Sequence, residues 1–179
     1  MAGRLVQAFG TETTANPALT HLFPTAEVLA QADVARIGLP QRRAETIRAL
    51  ARGVCEGRIV FSSVANVEEF QSRLRELPGL GNWTTQYIAM RALGDPDAFP
   101  ASDLGLLRGA SLHHERELVQ RAEAWRPWRA YAAMYLWQAA GERTRHESES
   151  MMTALSDRAA AKNGAVADRE GGLLFDNNA

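Results

Sequence analysis

Residues 77–90 read Leu-Pro-Gly-Leu-Gly-Asn-Trp-Thr-Thr-Gln-Tyr-Ile-Ala-Met, and the first five constrain the fold more than any other stretch. Gly79 and Gly81 follow a proline and lie between two helical patterns. The earlier pattern starts at Asn66 in a capping-box-like arrangement with Glu69, with Phe70, Leu74 and Leu77 as its stripe. The later one opens at Asn82 and closes at Gly94. The chain must therefore reverse between two helices within a few residues. Glycine permits the positive φ of such a turn and lets another backbone come close. The next helix start leaves several N–H groups without intrahelical partners, at the positive end of the helix dipole. A phosphate satisfies both needs. Thr84 and Thr85 add hydroxyl donors. Such contacts position a nucleic-acid backbone without reading sequence. A structural helical hairpin with glycine caps fits the isolated turn equally well.

The rest of the pattern is helical almost throughout, which predicts an all-α fold with essentially no sheet. Leu5, Val6 and Phe9 end a first helix before Gly10, and TETTANPALT reads as a loop. Thr25 caps a short helix over AEVLAQA. Pro40 stands at the first turn of QRRAETIRALARGV, whose apolar stripe is Ile47, Leu50, Ala51 and Val54, with an arginine face opposite. DPDAFPASD is a connection with two prolines, and a short helix follows Asp103. Another helix covers roughly 112–124. WRAYAAMYLWQAA, apolar on most sides, reads as a buried last helix ended by Gly141. Two units result: a domain over 1–141 and a polar tail over 142–179, expected to be disordered or weakly helical. Trp125, Trp128 and Cys55 are expected in the core. His113 and His114, adjacent in sequence, cannot share a helix face for metal binding and read as solvated, or at most near phosphate.

Composition narrows the function classes. The chain has 179 residues and a net charge of -1, so overall charge advertises no polyanion partner. A single cysteine excludes an internal disulfide and a cysteine-ligated zinc or iron–sulfur site. The single lysine, Lys162, lies in the tail, so chemistry needing a lysine amine in the domain is excluded. No apolar run approaches the roughly 18 residues of a membrane span, and the start lacks a signal-peptide core, so a cytoplasmic protein is expected.

LPGLGNWTTQYIAMRALGDPDAFPASDLGL resembles the helix–hairpin–helix plus Gly/Pro-Asp signature of base-excision DNA glycosylases. Within them the chain is similar to 3-methyladenine DNA glycosylase II, including the version fused to adaptive-response methyltransferase regulators. LTHLFPTAEVLAQADVARIGLPQRRAETIRALARGV and AWRPWRAYAAMYLWQAAGE resemble the flanking helices, so the likeness covers about 1–141. It implies a cleft beside the hairpin, with Asp103 as the catalytic aspartate and Trp83, Tyr87 and Trp137 lining the base pocket. It implies that Gly79, Gly81 and Thr84 grip a phosphate. It also implies a monovalent cation on the main-chain carbonyls of Arg75, Leu77 and Leu80, with no other cofactor. Family members with strand-cleaving lyase activity place a lysine where this chain has Trp83, which implies a monofunctional enzyme. The family also has an N-terminal β-rich domain and a wedge helix ahead of the position of Met1, so an N-terminally truncated member is expected.

The residues suit that chemistry. Aromatic faces favour electron-poor alkylated purines, and one carboxylate near C1′ stabilises the sugar cation. Asp103 also reads as a plain N-cap, and Trp83, Tyr87 and Trp137 as core. The expected partner is duplex DNA with alkylated bases, bound by a monomer. A non-catalytic helix–hairpin–helix module and an inactive fragment are the alternatives.

Overall fold

The computed structural model describes residues 1–16, 19–62 and 64–171. Among the described residues eight α-helices carry the fold: α1 (Ala2–Phe9), α2 (Ala26–Gln31), α3 (Gln41–Cys55), α4 (Val67–Arg75), α5 (Asn82–Ile88), α6 (Leu104–Ala110), α7 (Glu115–Ala122) and α8 (Arg129–Gly171). A π turn over Ala89–Leu93 prolongs α5 until Gly94 closes it in the left-handed region. Thr25 caps α2 and Asn66 caps α4 through their side chains, as their positions foretell. The capping box is only half formed, because the Glu69 carboxylate pairs with Arg73 instead.

The all-α expectation holds, and one local reading is corrected: the TETTANPALT segment is not a plain loop. Strands β1 (Thr11–Asn16) and β2 (Leu19–Leu22) form an antiparallel hairpin, with Thr11 opposite Leu22. Alternation in sequence records one face buried and one wet. This hairpin buries little: Leu19 and Leu22 are exposed, so the pattern has nothing to record. Its threonines still favour extended backbone.

Three apolar clusters hold the helices. Leu5, Leu29, Val34 and Ala51 join α1, α2 and α3. Ile59, Phe70, Leu74, Leu77 and Leu80 lie between α4 and the turn. Phe99, Leu106, Leu118 and Ala133 unite α6, α7 and α8 with the 95–103 segment. Leu74 and Leu106 are fully buried, each contributing roughly 1.5–3 kcal/mol. Two core assignments fail. Cys55 is exposed at the last position of α3. Trp128 is 57% exposed just ahead of α8, while Trp125 is half-buried and edge-on to Phe99.

Gly141 does not end the last helix. α8 runs through it, because an exposed glycine costs a helix only about 1 kcal/mol and no αL cap intervenes. The tail is helical to Gly171, and its side chains over 141–155 are exposed. Arg143 still reaches back, donating to the Arg108 carbonyl at 3.0 Å. The last stretch of the expected tail, 172–179, lies outside the described residues. Among the described residues no helix is long and apolar enough to cross a membrane.

Candidate active site

The turn between α4 and α5 turns its apolar side chains inward and its glycines outward. Leu77 and Leu80 are buried; Pro78, Gly79 and Gly81 are exposed. Gly79 has φ +83°, and a Cβ there would lie 2.1 Å from Thr46 Oγ1 on α3. Alanine at 79 therefore meets both left-handed strain and a steric overlap. Gly79→Ala is expected to lose at least about 2 kcal/mol, and Thr46→Ala in the same chain should return the steric part, in a denaturation double-mutant cycle. At Gly81 a Cβ would meet nothing within 4 Å, so the turn is open on that side.

Gly81 caps α5 without a side-chain bond, and the first α5 amide to find a backbone partner is that of Thr85. The amides of Asn82, Trp83 and Thr84 precede it at the start of the helix, next to the expected phosphate-binding residues Gly79 and Gly81. One expectation is corrected here. Thr85 is fully buried and donates its hydroxyl to the Asn82 carbonyl at 2.9 Å, so it offers nothing to a phosphate. The half-buried Thr84 remains.

Trp83 leads from the turn to the carboxylate. From the first turn of α5 its Nε1–H donates to Asp103 Oδ2 at 2.8 Å. Trp137, on α8, donates from Nε1 to Asp103 Oδ1 at 2.8 Å. The Leu106 amide donates to the same Oδ1 at 3.1 Å, so Asp103 is also the N-cap of α6. The N-cap reading of this residue holds. Burial acts most strongly on the carboxyl and works against ionisation. The donors from Trp137, Trp83, Leu106 and Gly105 outweigh it and hold the group below the usual aspartate range. Asp103 is thus an anion at neutral pH.

Trp83 and Tyr87 stack with centroids 5.3 Å apart and planes at 11°, and Tyr87 meets Trp137 edge-on at 6.0 Å. The three expected pocket residues and Asp103 are therefore brought together. Trp83 and Tyr87 are 39% and 37% exposed, a ledge open to solvent rather than core. Because Trp83 and Tyr87 cover each other, a base cannot enter between them and must take an outer face.

Several residues that build the site escaped the sequence reading. A Cβ on Gly105 would lie 2.9 Å from both Asp103 Oδ1 and Trp137 Cδ1, so only glycine lets that indole reach the carboxylate. A Cβ on Gly109 would lie 2.0 Å from the Leu136 carbonyl oxygen, so α6 and α8 touch there backbone to backbone. The four-residue spacing of these glycines was the available signal. Gln86 accepts from the Phe99 amide at 3.0 Å and donates to Gln71 at 3.2 Å, tying the 95–103 segment to α4 and α5. At the other end Arg129 grips Asp97 with two bonds of 2.7 and 2.8 Å, and Arg126 adds another. Burial opposes ionisation of Asp97, but these guanidinium groups lower its pKa.

A tight turn between two helices, an ionised aspartate at a helix start and aromatic rings around it thus lie together, the arrangement that the resemblance to helix–hairpin–helix DNA glycosylases implies. No family model matches the chain. Over 141 residues it is 43% identical to the Mycobacterium tuberculosis protein "Probable bifunctional transcriptional activator/DNA repair enzyme AlkA", covering 76% of this chain and 28% of that one. It is 31% identical to DNA-3-methyladenine glycosylase 2 of Escherichia coli over 144 residues, 79% of this chain and 51% of the relative. It therefore spans about a quarter to a half of the length of these curated relatives. Schizosaccharomyces pombe 3-methyladenine DNA glycosylase, solved with abasic DNA, superposes with a TM-score of 0.61 at 26% identity, over 65% of this chain and 63% of that one. The Archaeoglobus fulgidus 3-methyladenine DNA glycosylase gives 0.66 at 26% identity, over 76% and 50%. The chain belongs to the helix–hairpin–helix DNA glycosylases, in the 3-methyladenine DNA glycosylase II group.

Proposed function

We propose that the chain hydrolyses the N-glycosidic bond of alkylated purines such as 3-methyladenine in duplex DNA, as a monofunctional enzyme of base-excision repair. The observation that carries this reading is the ionised Asp103 set beside an open aromatic ledge, one residue away from the expected phosphate-binding turn through Trp83. Extruding a base costs a few kcal/mol, and stacking on the ledge returns about 1–3 kcal/mol. A purine alkylated at N3 or N7 is a cation and gains about 2 kcal/mol more over a desolvated aromatic face.

The charge also makes the base a good leaving group. The C1′–N bond breaks with its electron pair going to the base, which leaves neutral. The positive charge passes to the sugar, where the Asp103 carboxylate stabilises it. Water then adds to C1′ and its proton goes to solvent. No general acid is needed. No lysine stands at position 83 to form a Schiff base, which supports an intact abasic strand as product.

The main-chain carbonyls of Arg75, Leu77 and Leu80 fit a monovalent cation by donor chemistry, being neutral oxygens on one turn. Leu77 O gives one lone pair to the Leu80 amide at 3.2 Å and keeps the other. Such an ion would add positive charge on that turn. The partner in this reading is DNA carrying alkylated bases, met in the cytoplasm by a monomer. The test is release of free 3-methyladenine from methylated duplex DNA by the chain, with strand breaks appearing only after alkali. No release, with DNA binding that weakens steeply with salt, would instead mark a non-catalytic DNA-binding module. The openness of the ledge favours that second reading.

A further inference from the structure

We propose that Trp83 and Trp137 are positioning residues for Asp103: their indole N–H groups fix the carboxylate, one on each oxygen. The proposal rests on the glycosylase reading and deepens it. A pocket wall needs only the face of a ring. Here the edges are engaged as well, each Nε1 lying 2.8 Å from a different carboxylate oxygen. A carboxylate offers about four acceptor sites. Oδ1 takes the Leu106 amide and Trp137, and Oδ2 takes Trp83.

The two indoles reach the same group from different helices, α5 and α8, with Asp103 at the start of a third, α6. Their rings are held by packing, Trp83 flat on Tyr87 and Trp137 in the space that Gly105 leaves. The donors are therefore already placed before substrate arrives and need no reorganisation. A carboxylate held by several neutral donors is also a weaker base. It is suited to stabilising positive charge on the sugar rather than to withdrawing a proton from water. Among the described residues no charged side chain hydrogen-bonds Asp103. α5 presents Tyr87, stacked on Trp83. α6 carries Arg108 at its far end. α8 carries Tyr131, Tyr135, Glu142 and Arg143. None of these groups hydrogen-bonds Asp103.

Two measurements test the proposal. The first follows the four tryptophan indole N–H signals of the full chain by NMR as pH falls, without DNA. The Trp83 and Trp137 signals are expected to move with one shared midpoint, below the usual carboxylate range, and the movement should vanish in Asp103→Asn. Signals that stay flat would overturn the proposal. The second compares base release by Trp83→Phe and Trp137→Phe, which keep an aromatic ring but lose the donor. Each is expected to lower kcat about 10- to 100-fold and to move the acid limb of the pH profile upward. Full kcat with an unmoved acid limb would overturn it. A chain showing the shared midpoint but releasing no base would keep the positioning role and defeat the glycosylase reading.

Discussion

Asp103→Asn is expected to reduce base release by at least about 10³-fold, roughly 4 kcal/mol of transition-state stabilisation, while DNA affinity stays within about twofold. The substitution removes the charge that faces the sugar and little else. The asparagine carbonyl can still accept from the Leu106 amide and Trp137, so the cap of α6 survives. Its amide must then meet the Trp83 N–H, donor against donor, so that one hydrogen bond is lost. Single-turnover release of 3-methyladenine measures the first effect, and titration of an uncleaved duplex measures the second. Equal release by both proteins would end the catalytic assignment. The variant should also lose an acid-side slope in stability. The folded carboxyl titrates below its unfolded value. Its contribution is therefore present above the unfolded pKa and is lost as pH falls through the folded one. The asparagine chain has no such loss at this position.

The parts of this site that were legible in sequence are those with local signals. A proline and two glycines between capped helices fix the turn, and the aspartate after FPAS fixes the start of α6. What the sequence hid are relations between elements. That Trp83 and Trp137 turn their N–H edges to one carboxylate depends on how α5, α6 and α8 pack, and no spacing within one helix records it. The clamp of Asp97 by Arg129 joins residues 32 apart. The β1–β2 hairpin was hidden for the opposite reason: its exposed side chains leave no burial pattern to read. Two adjacent threonines at a helix start suggest two hydroxyl donors, but a helix turns successive residues to different faces, and Thr85 points inward.

Glycine-to-alanine changes at three helical positions are expected to act in three different ways. At Gly141 a Cβ meets nothing within 4 Å, so only helix propensity counts. Gly141→Ala should add about 1 kcal/mol and raise Tm by about 2–4 °C. At Gly105 the same propensity gain is offset by the overlap with Trp137 Cδ1 and Asp103 Oδ1, both 2.9 Å away. The indole ring can give, so stability should stay within about 1 kcal/mol of wild type. The ring can give only by leaving the carboxylate, so base release should fall about 100-fold, as expected for loss of one preorganised donor. At Gly109 the obstacle is the Leu136 carbonyl oxygen at 2.0 Å, part of the α8 backbone, and no rotamer relieves it. Here α6 and α8 must separate, opening the cluster around Leu106 and Ala133. The overlap should exceed the propensity gain by about 2–3 kcal/mol and lower Tm by about 4–12 °C. Thermal melts and single-turnover release, measured on all three variants, separate the outcomes. Equal melting of Gly105→Ala and Gly109→Ala, with equal loss of release, would mean that α6 and α8 do not meet as closely as the structure places them.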